Sequence, residues 1–235
     1  MQRNQKIGLA KTSAQAGYCT GGQCEKKNIL GKVSMVSEIK AVVYDMGGVI
    51  LRSATYEYRN AIAARYGMNR KELEALIFDS PSAIAGTLGK KTNREHWQFV
   101  FDTLKVTAEE RKTFEREFWT CDQLDHSLVK FLGDLRPERK TGLLSNAWTG
   151  TRERLFVEYH CENVFDVSLF SYEVGLAKPD EAYYQMILDQ LGVQATETIF
   201  LDDNAENVVA AARMGMKAIR FRNRDQAIAE MQALL

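Results

Sequence analysis

From residue 40 onward, short apolar runs alternate with longer stretches in which apolar positions recur every three or four residues. The runs are Lys40-Ala41-Val42-Val43-Tyr44, Thr141-Gly142-Leu143-Leu144, Val167-Ser168-Leu169-Phe170, Thr198-Ile199-Phe200-Leu201 and Lys217-Ala218-Ile219-Arg220-Phe221. They lack the regular alternation of a strand wetted on one side, so they predict strands covered on both faces. Segments 149–159, 180–191, 204–214 and 224–234 between them carry the spacing of amphipathic helices. Strand–helix alternation of this kind predicts an α/β fold, a Rossmann-like doubly wound parallel sheet.

Strand-like runs stop between residues 54 and 136. Thr92-Asn93-Arg94-Glu95 and Thr107-Ala108-Glu109-Glu110 have the form of capping boxes that open helices, and 55–66, 69–78 and 124–135 carry helical spacing. The chain is therefore expected to consist of a core, 39–53 with 137–235, interrupted after its first strand by an α-helical cap domain, 54–136. Such an insert would sit above the carboxyl ends of the strands, where open sheets bind ligands. Residues 1–38 hold one aromatic, Tyr18, and no apolar stretch of the kind that heads a secretory signal; they read as a disordered or extended tail.

Charge narrows the partners. The chain is formally neutral, but residues 1–40 carry a net +5 and the remainder −5. An acidic body lacks the basic face that binding to phosphate backbones requires, which argues against nucleic acid. No run approaches the ~20 apolar residues needed to cross a bilayer. Cys19, Cys24, Cys121 and Cys161 form neither a CxxC pair nor a metal set with His96, His126 and His160, and they read as the thiols of a cytoplasmic protein.

The strand ends hold the candidate chemistry. The first strand runs into Asp45, the second into Ser145-Asn146, and the fourth into Asp202-Asp203, while Lys178 follows the third in Gly-Leu-Ala-Lys-Pro-Asp. In a parallel sheet these positions share one edge. Three carboxylates gathered there are costly unless cations neutralise them; Lys178 supplies one charge and a hard divalent ion with oxygen ligands supplies the rest. A strand-end carboxylate, a cation and a fixed ammonium suit phosphoryl transfer, with the carboxylate attacking phosphorus to give an aspartyl-phosphate.

Val42-Val43-Tyr44-Asp45-Met46-Gly47-Gly48-Val49, Leu143-Leu144-Ser145-Asn146, Lys178-Pro179 and Phe200-Leu201-Asp202-Asp203 with Asn207 resemble, in this order, the motifs of the haloacid dehalogenase superfamily, across residues 39–235. The resemblance implies Asp45 as nucleophile, Lys178 as its charge partner, and Ser145 and Asn146 at the substrate's phosphate. It further implies Mg²⁺ held by Asp45, the carbonyl of Gly47 and Asp203, with Asp202 supporting Lys178 or a metal-bound water. The helical insert corresponds to the family's small cap.

One position departs from that pattern. Phosphatases of the superfamily usually carry a second aspartate two residues after the nucleophile, as acid for the leaving alcohol, and here Gly47 stands there. Losing such a group costs on the order of 10²–10⁴ in rate. The expected function is therefore a Mg²⁺-dependent phosphatase acting on a small phosphorylated metabolite. The Asp-x-Gly-Gly site is similar to the sugar 1-phosphate phosphatases, whose leaving hydroxyl is the more acidic. A metal-independent 2-haloacid dehalogenase and a catalytically impaired phosphate-ligand binding protein are the alternatives. A monomer or homodimer is expected, with neither membrane nor nucleic acid as partner.

Overall fold

The computed structural model describes residues 38–161 and 163–235. The expectations for the N-terminal tail and for Cys19 and Cys24 fall outside the described residues. Strand β1 (Ala41–Tyr44) is followed by β2 (Leu51–Ser53), then α1 (Glu57–Arg65), α2 (Arg70–Glu74), α3 (Pro81–Thr87), α4 (Asn93–Leu104) and α5 (Arg111–Thr120). The chain continues through β3 (Asp122–Leu124), α6 (His126–Asp134), β4 (Lys140–Ser145), α7 (Thr151–Glu153), β5 (Val167–Phe170) and α8 (Ser171–Val174). It ends with α9 (Glu181–Leu191), β6 (Thr198–Asp202), α10 (Ala205–Arg213), β7 (Lys217–Arg220) and α11 (Arg224–Gln232). Among the described residues no helix is long and apolar enough to cross a membrane.

Five strands form a parallel sheet in the order β5-β4-β1-β6-β7, so the α/β fold is the one expected from the strand runs. Alternate residues of β1 go to opposite faces. Val42 and Tyr44 join Leu128 and Leu132 of α6 and Met231 of α11 in one apolar cluster. Ala41 and Val43 join Tyr183, Ile187 and Leu191 of α9 and Ala211 of α10 in another. Covering both faces explains why the strand runs are apolar throughout. The strand order reverses beside β1, which opens a crevice between the carboxyl ends of β1 and β6.

A third cluster, around Ile62, Leu73, Ile77, Trp97, Phe114 and Phe118, is the helical insert's own core. Two features there differ from the sequence expectation. The segment 54–136 contains a strand, β3, which pairs antiparallel with β2 and forms a two-stranded ribbon where the chain leaves and rejoins the sheet. Three residues are too few to show a period, so this strand carried no signal. Helix α6 lies inside the same segment, yet packs its apolar face into the sheet's cluster.

Helix boundaries follow the caps. Thr92 accepts from the Glu95 backbone and Glu95 returns to Thr92, as its box predicts. Thr107 and Glu110 also bond to each other, but the helix there begins only at Arg111. The segment at 69–78 is α-helical to Glu74 and then π-helical over Ala75–Asp79, stopping at Ser80, which is held extended before Pro81. The segment 149–159 likewise holds only a short α-helix followed by a π-helical turn, Arg154–Glu158.

Candidate active site

Asp45 follows β1, and its backbone N–H donates to the carbonyl of Leu201 on β6 (2.9 Å), extending the ladder to the lip of the crevice. The register pairs Tyr44 with Leu201, so Asp45 and Asp202 stand side by side at the strand ends. Carboxylate oxygens of Asp45, Asp202 and Asp203 lie within 4.8 Å of one another. Asp45 and Asp202, 157 positions apart, thus converge because their strands are neighbours in the sheet.

Lys178 sits in the middle of this charge. Its ammonium donates to Asp45 Oδ1 at 2.8 Å and to Asp202 Oδ2 at 2.7 Å, and all three side chains are buried or nearly so. Burial works against the ammonium, but the two carboxylates outweigh it and hold Lys178 above the ordinary lysine value. Burial pushes the Asp45 carboxyl up to about 7, a rise that Lys178 opposes and Asp202 and Asp203 reinforce. Asp203 is also raised, by burial first and then by Asp202. One ammonium leaves this triad short of positive charge, and the donor set, all carboxylate oxygens with the Gly47 backbone beside them, is what a hard divalent cation takes.

Asp202 is fixed from every side. Besides Lys178 it accepts from the Asn204 backbone (2.8 Å) and from the Asn207 amide at 3.2 and 3.1 Å, so its oxygens hold the lysine and the loop together. Asp203 instead rests against Gly48: a Cβ at Gly48 would lie 2.3 Å from Asp203 Oδ2. Gly48 also has φ +74°, which disfavours any side chain. At Gly47 an added Cβ would meet nothing within 4 Å.

Ser145 ends β4, buried, and its hydroxyl finds no hydrogen-bond partner among the described residues. The neighbouring Asn146 has a role that the sequence did not disclose. Its amide donates to the Lys178 carbonyl (2.9 Å) and its oxygen accepts from the Lys178 N–H (2.8 Å), a two-bond clamp that fixes the lysine's backbone. Tyr183 on α9 ties the same strand ends from behind, donating to the carbonyls of Ser145 and Leu169, both at 2.9 Å. Buried Ser171 bridges to the backbone of Ala147. Neither Tyr183 nor Ser171 belongs to one of the sequence motifs; helix packing brings Tyr183 in, and Ser171 follows β5, whose Phe170 is paired with Ser145.

Above the carboxylates lies a cleft of about 1040 Å³ lined on one side by Asp45, Gly47, Asn146, Lys178 and Asp203, and on the other by residues of the helical insert. Arg52 and Tyr56, just after the first motif, line it too, with Arg52 paired to Asp125. Trp148 spans the two sides: its indole N–H donates to the Ala83 carbonyl (3.1 Å) at the start of α3, and its ring stacks on Phe78. The second latch is the bond from the Asn93 N–H to Thr149 Oγ1 (2.8 Å). Arg59, buried on α1, joins Glu74 (3.1 Å) to Asp122 (2.7 Å) at the cleft wall; a lone arginine on a helix gave no sequence signal for this.

A family model described as a haloacid dehalogenase-like hydrolase matches residues 39–215. A sesquiterpene phosphatase of Aspergillus oryzae is 24% identical over 202 residues, covering 86% of this chain and 99% of that protein. A drimenol cyclase of Aspergillus calidoustus is 33% identical over 159 residues; the match takes in 60% of this chain but only 30% of the cyclase. Among solved structures, a Bacteroides thetaiotaomicron enzyme of the same superfamily, in complex with magnesium and inorganic phosphate, superposes with a TM-score of 0.64. It is 20% identical, with 78% of this chain and 94% of that one covered.

Proposed function

The chain belongs to the haloacid dehalogenase-like hydrolases, and from that premise we propose that it is a Mg²⁺-dependent phosphatase whose nucleophile is Asp45. The observation that carries this reading is the charge arrangement: three carboxylates within 4.8 Å of one another, with Lys178 bonded to two of them. A metal-free dehalogenase site would leave Asp203 beside Asp45 with no cation to screen it. The relative named as a sesquiterpene phosphatase supports a phosphate ester as substrate.

Asp45 Oδ1 accepts from Lys178 and from the Met46 N–H (2.7 Å), which orients the carboxylate and leaves its other oxygen for the incoming phosphorus. That oxygen forms a bond to phosphorus as the ester's P–O bond breaks in line, the alcohol departing with the electron pair. Water then attacks the phosphorus of the aspartyl-phosphate, releasing inorganic phosphate and restoring Asp45. Ser145 offers its unpartnered hydroxyl to a non-bridging oxygen, and Lys178, clamped by Asn146 and backed by Asp202, balances the charge as the two anions approach. Mg²⁺, held by Asp45, Asp203 and the Gly47 carbonyl, would supply the remaining positive charge. The part of the insert that carries its own apolar core, from α1 to α5, acts as a lid above this edge.

Gly47 places no carboxyl beside the leaving oxygen, so the departing alcohol takes its proton from water. The test is phosphate release from a panel of phosphate esters, with Mg²⁺ and with EDTA, by the native protein and by Asp45→Asn. Release that needs Mg²⁺ and vanishes in Asp45→Asn is expected. Halide release from a 2-haloacid that survives EDTA would replace this reading with the dehalogenase one, and phosphate binding without any release would replace it with a binding protein.

A further inference from the structure

The wall of the cleft that faces the carboxylates is apolar and uncovered. Phe78 is 38% exposed and Ile84 is 55% exposed, and both line the cleft together with Leu88, Trp119 and Trp148. The Phe78 ring stacks on Trp148 (5.9 Å between centroids, 18° between planes) and meets Trp119 edge-on at 6.0 Å. The stack comes from three separate places in the chain: the π-helical turn after α2, the end of α5 and the loop after β4. Large apolar side chains left open in a concave site are the surface that a ligand covers, because covering them removes apolar area from water.

The charged side chains of the same wall are paired with one another, and Tyr56 and Thr87 are further polar groups that line it. Arg59 uses its donors on Phe118, Glu74 and Asp122; Arg70 is held by Glu74, and Arg52 by Asp125 and the Val49 carbonyl. Each guanidinium keeps further N–H donors, but the carboxylates beside it already balance its charge, so a sugar hydroxyl gains only an ordinary hydrogen bond there. An alkyl or alkenyl chain displaces only water.

We propose that this wall seats a hydrocarbon leaving group, so that the substrates are phosphate monoesters of apolar alcohols and not of sugars. The proposal rests on the phosphatase reading above and names the substrate class of that same site. Phosphate binds at the strand ends, and the hydrocarbon runs from there along Phe78, Ile84 and Trp148. The volume of about 1040 Å³ is ample for such a chain.

Octyl phosphate and glycerol 3-phosphate test it, since both release a primary alcohol and differ mainly in the polarity of what the wall must hold. With Mg²⁺ present, kcat/KM is expected to favour octyl phosphate by about tenfold or more, chiefly through KM. Ile84→Gln and Phe78→Ser should each shrink that preference at least about fivefold, Ile84→Gln being an exposed helical position where the fold is not at stake. Equal or better turnover of glycerol 3-phosphate or glucose 1-phosphate overturns the proposal, as does a preference that neither variant alters. Tryptophan fluorescence of Asp45→Asn, titrated with octyl phosphate and with inorganic phosphate, reads the seat without turnover. Tighter binding of octyl phosphate supports the seat even when neither ester is hydrolysed, a combination that defeats only the phosphatase reading. Equal binding of the two defeats the seat.

Discussion

At the scale of single residues, the site is a balance of buried charge. Asp45→Asn keeps the shape and removes the proposed nucleophile; turnover should fall at least about 10³-fold in a single-turnover assay, with the far-ultraviolet spectrum unchanged. Lys178→Met removes the ammonium from between Asp45 and Asp202 and leaves their charge without a partner, a loss of about 3–5 kcal/mol measurable by urea denaturation. Gly48 and Gly47 should behave oppositely although they are adjacent. A Cβ at Gly48 collides with Asp203, so Gly48→Ala is expected to weaken Mg²⁺ binding and activity together. The space around Gly47 is open, so Gly47→Asp should fold and, if the missing acid limits the rate, raise kcat for octyl phosphate by up to about 10². The strand-end residues Asp45, Ser145, Lys178, Asp202 and Asp203 could be picked out from the sequence because their types are distinctive where they occur. Asn146 was recognisable as a site residue but its clamp on Lys178 was not, since the bonded partner lies 32 positions away.

At the scale of elements, caps and packing set where helices begin and which face they bury. Ser80 accepts from the Ala83 N–H and Pro81 occupies the first turn of α3, so Ser80→Ala should cost about 1 kcal/mol in thermal unfolding. The Ser80-Pro81 pair is a legible helix start, but seven residues are too few to show a hydrophobic period, so α3 has no periodic signature in the sequence. The same brevity hid β2 and β3. The long segments fared differently: α9 and α10, with several turns of apolar spacing, lie where the pattern placed them. The expected helix at 149–159 is mostly a π-helical turn, a distinction of one residue in hydrogen-bond register that apolar spacing does not resolve.

At the scale of the whole molecule, the carboxylate cluster couples stability to pH and to metal. Asp45 titrates near 3.8 in the unfolded chain and about 7 when folded, so the folded state binds the extra proton between those values. Its contribution to stability is therefore greatest at low pH and is lost as pH rises through about 7, and Asp203, shifted the same way, adds to the trend. Without metal, the part of the pH dependence due to these groups should fall across that range, and Asp45→Asn should flatten it, as read from urea midpoints. Mg²⁺ at pH 7 should raise the melting temperature by binding only the folded cluster, with EDTA reversing the gain and Asp203→Asn abolishing most of it.

The sequence by itself determined the two-faced sheet, the alternation of strand and helix, and the residue types that stand at the strand ends. These depend on local pattern: an unbroken apolar run makes a doubly covered strand, and the residue after it must lie at the strand's carboxyl end. Tertiary structure alone decided which strand ends are neighbours, that Asn146 grips Lys178, that Asp203 lies against Gly48, and that Phe78, Ile84 and Trp148 form one wall. Each of these is a meeting of residues distant along the chain, fixed by strand order and by side chains packing in space, and no local period encodes such a meeting.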